Sequence, residues 1–141
     1  MSAIRHKNTK PEILVRSELH KRGFRFRVHR KDLPGNPDIV LPKYNAVILV
    51  NGCFWHGHEC DLFKWPKTRE EFWREKISSN VLRDSNNIRT LCAMGYRVLI
   101  IWECATKGPK KLESKFLFDQ VTQWVKSASH RKEISGELSS H

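Results

Sequence analysis

The stretch Val50-Asn-Gly-Cys-Phe-Trp-His-Gly-His-Glu-Cys60 constrains this chain more than any other part of it. It sets four metal-capable side chains, Cys53, His56, His58 and Cys60, directly after an apolar run, Ala46–Val50, that reads as a buried strand. Cys53, His58 and Cys60 have the softness and spacing of zinc ligands, whereas His56 points into the same turn without being needed. A closed structural zinc site takes four ligands. Cys104 is the natural fourth, because it lies just past the apolar strand Tyr96–Glu103, whose end can return beside a loop leaving the neighbouring strand. Cys92 is the rival, but its spacing from Ile88 and Leu91 reads as a small apolar filler in a helix. Buried free thiols beside an unrelated histidine are the plainer alternative. A zinc ion here pins the loop rather than doing chemistry. The same loop carries Phe54 and Trp55, and apolar bulk on a loop is costly unless it is buried or meets a partner.

The rest of the chain supplies the frame. Its 141 residues suit one domain with one moderate core, residues 1–126, followed by a polar tail, 127–141, expected to fray. The net charge of +11, from 26 Lys+Arg against 15 Asp+Glu, favours a polyanionic partner, of which nucleic acid is the commonest. An inert basic surface is the bland reading of the same numbers. No run approaches the roughly 18–20 apolar residues of a membrane span, and the N-terminus lacks the apolar core of a secretion signal. A cytoplasmic address is therefore expected, where cysteines serve metals or stay free before they form disulfides. The absence of a Cys-x-x-Cys pair argues against a redox or metal-storage role.

In order, Thr9-Lys-Pro-Glu12 is a capping-box pattern opening a helix from about Lys10 to Lys21, closed by Gly23, with Ile13, Leu14, Val15 and Leu19 on its apolar side. Phe24–His29 alternates with period two, so it reads as a half-buried strand whose outward Arg25 and Arg27 suit phosphates; any one-sided strand shows the same alternation. A loop with Pro34, Gly35 and Pro37 precedes a short strand, Asp38–Leu41, and Ala46–Val50 returns beside it as an antiparallel partner. Thr68-Arg-Glu-Glu71 is a second capping box, starting a helix through Phe72, Trp73 and Ile77. Ser78-Ser-Asn80 is expected to break it, with a new helix from Val81 to Met94. A final amphipathic helix, Leu112–Lys126, carries Phe116, Val121 and Trp124.

Asp38 heads a strand directly after Pro37, which is how metal-dependent nucleases present a carboxylate, although a lone Asp there is more often a turn residue or cap. A hard divalent ion takes oxygen ligands: Asp38, a backbone carbonyl of the next strand, a substrate phosphate and water. Such an ion polarises a phosphodiester and acidifies its water. His56, free of zinc, has the chemistry to accept the attacking water's proton, and Glu12 to orient its other ring nitrogen. A zinc-stabilised DNA-binding module without catalysis accounts for the charge, the zinc ligands and the aromatics, but leaves Asp38, His56 and Glu12 without work.

Three blocks, Leu33-Pro-Gly-Asn-Pro-Asp-Ile-Val40, Asn51-Gly-Cys-Phe-Trp-His-Gly-His58 and Arg97-Val-Leu-Ile-Ile-Trp-Glu-Cys104, together resemble the very-short-patch-repair (Vsr) mismatch endonucleases. The similarity runs from Met1 to about Trp124. It implies an α/β fold with a restriction-endonuclease-like core, a central mixed sheet flanked by helices, plus a structural zinc. It implies a magnesium-dependent nick in duplex DNA at a T·G mismatch left by 5-methylcytosine deamination. The resemblance matches Asp38 to the magnesium-binding aspartate and Val50 to a backbone-carbonyl ligand. His56 matches the general base, Glu12 its partner, and Cys53, His58, Cys60 and Cys104 the zinc ligands. Phe54, Trp55 and Trp73 match aromatics that wedge into the base stack, and Met1 and Ile4 fall on a segment approaching from the other groove. A bacterial, cytoplasmic, nucleoid-associated monomer is implied, with mismatch-repair proteins as further partners.

The chain departs from the pattern at two places. Asn51 stands where the family has a second histidine, whose aspartate partner corresponds to Asp84; Asn can hydrogen-bond a phosphate or water but cannot carry a proton. The chain also starts late, without the family's short basic lead, which implies a weaker minor-groove grip or a trimmed N-terminus.

Overall fold

The computed structural model describes residues 9–60 and 62–136; Met1 and Ile4 lie outside them. Helix α1 spans Lys10–Lys21. Thr9 caps it, its hydroxyl accepting the Glu12 amide at 3.3 Å. Pro sits in the first turn, where an amide hydrogen is not missed. Gly23, at φ +85°, closes it. Half of the expected capping box is present, since the Glu12 carboxylate turns away to another partner described below. Val15 and Leu19, one helical turn apart, are buried, while Ile13 faces solvent.

Strands β1 (Arg27–Val28), β2 (Ile39–Leu41), β3 (Ala46–Asn51), β4 (Arg97–Trp102) and β5 (Arg131–Ile134) form one sheet in chain order. Neighbours β1/β2 and β2/β3 are antiparallel, the second pair joined by the tight Pro42–Tyr44 turn and left-handed Asn45. The β3/β4 and β4/β5 pairs are parallel, each joined by a crossover helix. These are α2 (Glu70–Ala93) and α3 (Ser114–Val125). The sheet is therefore mixed and flanked by helices on both faces. Ile39, Leu41, Ala46, Ile48, Leu99 and Ile101 meet α1 and α3, with Phe118, Val121 and Trp124 of α3 buried against them. Val40, Val47, Val98 and Ile100 point the other way, onto Ile88 and Leu91 of α2. Alternate residues of each central strand thus serve two cores, and each buried Leu, Ile or Val contributes about 1.5–3 kcal/mol.

Several expectations give way. The break at Ser78-Ser-Asn80 does not occur, and α2 runs unbroken for 24 residues. Asn80 is buried and donates its side-chain amide to the Trp55 carbonyl at 2.9 Å, so it does not compete for its own helix backbone. Thr68 caps nothing: α2 begins after Arg69, a left-handed residue whose guanidinium lies over the Phe72 ring. Only Arg27 and Val28 of the period-two run pair, because His29 turns left-handed at φ +50°. Arg25 and Arg27 are exposed, as the alternation implied. Phe116 is exposed and Phe118 takes the core place assigned to it. Residues 131–134, expected to fray, form β5 on the edge beyond β4, with Ile134 buried. Among the described residues no helix is long and apolar enough to cross a membrane.

Candidate active site

The antiparallel β2/β3 hairpin brings Asp38 beside Val50. The Val50 amide donates to Asp38 Oδ2 at 2.7 Å, tying the carboxylate to the strand that leads into the cysteine-rich loop. That loop turns back at once, the His56 amide donating to the Gly52 carbonyl and the His58 amide to the Cys53 carbonyl. Gly57, at φ +65°, makes the turn possible, and its bare Cα lets α2 approach. The outcome is a cavity of about 560 Å³ lined by Asp38, Val50, Asn51, His56, Arg83 and Asp84, with Pro34, Gly35, Asn36 and Asn87 at its rim. The acid and the imidazole singled out from sequence thus open on one space.

The partner of His56 is not Glu12. His56 Nδ1 is hydrogen-bonded to Asp84 Oδ2, from the middle of α2, and the Glu12 carboxylate bonds His29 Nε2 instead. The unbroken α2 accounts for the first pairing, since it carries Asp84 over the loop. The left-handed backbone at His29 accounts for the second, since it swings the ring onto the first turn of α1. Asp84, expected beside the position of Asn51, serves His56. Asn51, buried at the end of β3, lines the cavity without an imidazole. His29 was missed in the sequence, where it looked like the last residue of an ordinary strand.

Burial is the main reason that the Asp38 carboxyl is pushed up to about 7, with the nearby Glu12 carboxylate adding to it and the Val50 amide opposing. A desolvated, half-buried carboxylate beside the buried one of Glu12 is an environment that a divalent cation relieves. Ligand atoms of Glu12, His29 and Asp38 all lie within 4.8 Å of one another, so the donor set fits one ion.

A second cluster is built on the cysteine-rich loop and the end of β4. Ligand atoms of Cys53, His58, Cys60 and Cys104 also lie within 4.8 Å of one another, the three-thiol, one-imidazole set that suits a tetrahedral ion. Cys104 Sγ and His58 Nδ1 are 3.7 Å apart. Burial pushes the Cys53 and Cys104 thiols up, a penalty that a cation among them removes. The His58 ring stacks on Trp102 at 4.2 Å, and Trp102 Nε1 donates to Glu133 Oε1 of β5 at 2.9 Å. The Gly136 amide donates to Cys104 Sγ at 3.2 Å, so the segment after α3 braces this cluster. Cys92, the rival ligand, is exposed on α2 and takes no part.

Phe54 and Trp55 are half-buried, with ring centroids 5.0 Å apart, and Trp73 of α2 lies 5.5 Å from Phe54 and 5.7 Å from Trp55. The cluster is larger than the sequence suggested: Phe63 stacks on Phe54 at 5.6 Å, and Trp65 and Phe72 extend it to the surface. Arg74 lies over the Trp65 ring at 4.4 Å. Arg83, which donates to Asn80 at 2.7 Å, connects this wall to the cavity through one helix.

The family model described as DNA mismatch endonuclease Vsr matches residues 1–62. The type II nicking enzyme V.XorIIP of Xanthomonas oryzae pv. oryzae is 49% identical over 115 residues, 82% of this chain and 85% of that protein. The DNA mismatch endonuclease Vsr of Escherichia coli strain K12 is 47% identical over 125 residues, 89% of this chain and 80% of that protein. The type II nicking enzyme V.NmeAIP of Neisseria meningitidis is 47% identical over 108 residues, 77% of each chain.

Proposed function

Because the chain belongs to the Vsr DNA mismatch endonuclease family and is thus an endonuclease, we propose that it nicks one strand of duplex DNA at a thymine mispaired with guanine, by magnesium-dependent hydrolysis. The observation that carries this reading is the cavity shared by Asp38 and His56, with Asp84 on the far nitrogen of the imidazole. In this reading the mixed sheet is a restriction-endonuclease-like core, whose β2/β3 hairpin presents the acid.

Asp38 and the Val50 backbone carbonyl would hold a magnesium ion, which would supply polarisation of the phosphodiester and acidification of water. His56 donates Nδ1–H to Asp84, which leaves Nε2 with its lone pair to take the proton of the attacking water. Asp84 fixes that tautomer and steadies the imidazolium as it forms. Asn51 hydrogen-bonds a phosphate oxygen or the water but moves no proton. Cys53, His58, Cys60 and Cys104 would hold a zinc ion, which would pin the loop that carries His56. Exposed Arg25 and Arg27 add backbone contacts to DNA phosphates.

Selectivity for a mismatch follows from the aromatic wall. Unstacking a base step costs a few kcal/mol and least at a mismatch, while an aromatic stacked on a base returns about 1–3 kcal/mol. Phe54, Trp55 and Trp73 therefore offset the opening of a defect more easily than that of sound duplex. In this reading a monomer works on nucleoid DNA in the bacterial cytoplasm, with mismatch-repair proteins as further partners. The test is a nicking assay in magnesium on labelled duplexes bearing each mismatch in turn. One cut in one strand beside T·G is expected; binding without cutting under every condition replaces the enzyme with a zinc-stabilised DNA-binding module.

A further inference from the structure

Three segments converge at Asp38, one of the residues that line the cavity. Glu12 arrives in the first turn of α1, His29 just after β1, and Asp38 just before β2. The Glu12 side chain is 2% exposed and that of His29 20%. The His29 amide donates to the Asp38 carbonyl at 3.2 Å, so the two backbones are locked one step past the paired Val28 and Ile39. A carboxylate from Glu12, an imidazole nitrogen from His29 and a carboxylate from Asp38 lie within 4.8 Å of one another. The zinc-type cluster uses none of these residues.

We infer that His29 is a ligand of the catalytic cation, and that its nitrogen gives this active site a preference for Mn²⁺ over Mg²⁺. Magnesium is a hard ion that wants oxygen and keeps much of its water. A first-row transition ion such as Mn²⁺ accepts the same carboxylates and also takes an imidazole nitrogen. One nitrogen among oxygens therefore shifts the balance between the two ions without closing the site to either. The inference rests on the reading of Asp38 as a metal-binding carboxylate and adds His29 to it.

The test is Mn²⁺ binding to the full chain, with its cysteine cluster loaded with zinc, followed by electron spin resonance and by competition with Mg²⁺. Wild type is expected to bind Mn²⁺ at least ~10-fold more tightly than Mg²⁺, with nitrogen modulation in the spin echo of the bound ion. His29→Gln, which puts an amide oxygen where the nitrogen was, is expected to lose that modulation and to cut the Mn²⁺ advantage to below ~3-fold. Asp38→Asn abolishes binding of both ions. Absence of nitrogen modulation in wild type overturns the proposal whatever the variants do, and so does modulation that survives His29→Gln, which assigns the nitrogen to His56. Nicking at a mismatch in Mg²⁺ alone is a separate outcome, so the enzyme reading and the His29 assignment fall independently.

Discussion

The Asp84 carboxylate holds Nδ1 of His56 across 28 residues of sequence, from a helix to a loop that share no strand. Both side chains are about a quarter exposed, at the mouth of the cavity rather than in the core. Their pairing fixes which nitrogen of the ring faces the space beside Asp38. Asp84→Asn should therefore leave mismatch binding within ~3-fold and lower the single-turnover nicking rate by ~10²–10⁴, as loss of an imidazole's orienting carboxylate does. Glu12→Gln should cost less at His56, because Glu12 serves His29. An Asp84→Asn enzyme that nicks at the full rate returns the orienting role to another carboxylate.

The half-buried Asp38 carboxyl gives the protein without magnesium a pH dependence of definite sign. A carboxyl raised to about 7 holds its proton more tightly folded than unfolded. Its contribution to stability is complete below pH ~4 and is lost as the pH rises through about 7, roughly 3–5 kcal/mol in all. Asp38→Asn should flatten the urea midpoint between pH 5 and 8 and stabilise the protein at pH 8. Added magnesium should restore stability to wild type at that pH and do nothing for the variant.

Cys104→Ala and Cys92→Ala separate the ligand from its rival. The first removes one of four converging donors and should bring bound zinc below one equivalent by metal analysis, with a fall in melting temperature. The second changes an exposed thiol on α2 and should leave metal content and melting unchanged.

Gly57 lies between the two histidines with a left-handed backbone, and a Cβ there meets Ile77 and Val81 of α2, each at 2.9 Å. Gly57→Ala should lower stability by about 1–3 kcal/mol and slow nicking, because the loop must lift away from Asp84. Gly23→Ala, equally left-handed but facing open space, should cost stability alone. Chemical denaturation of both, alongside nicking rates, checks the contrast.

What could be read from the sequence was what local chemistry decides. The cap at Thr9, the β2/β3 hairpin and the cysteine spacing are each set by residues a few places apart. The edge strand β5 was not legible, because Arg-Lys-Glu-Ile has a polar face and gains its partner only when β4 is in place. Nor was the continuity of α2, since Asn80 breaks helices by default and is kept from doing so by the Trp55 carbonyl. Cys92 misled because it follows Leu91 in a helix whose buried stripe is narrow: Ile88 and Leu91 are inside and the next residue is not. The acid and imidazole of the cavity were found, but the imidazole was paired with Glu12 where the structure gives it Asp84. Which carboxylate reaches which ring depends on the backbone turn at His29 and on the length of α2, neither of which a spacing rule encodes.

The Gly136 amide on the Cys104 sulfur carries one more implication. Translation delivers the acid, the imidazole and all four converging donors before it delivers β5, which props Trp102, and Gly136 beyond it, which reaches that sulfur. Until residues 131–136 are made, the Trp102 indole and the Cys104 sulfur lack these two hydrogen bonds. A product truncated before residue 131 should therefore hold zinc less tightly and nick more slowly than the full chain, by metal analysis and single-turnover rate.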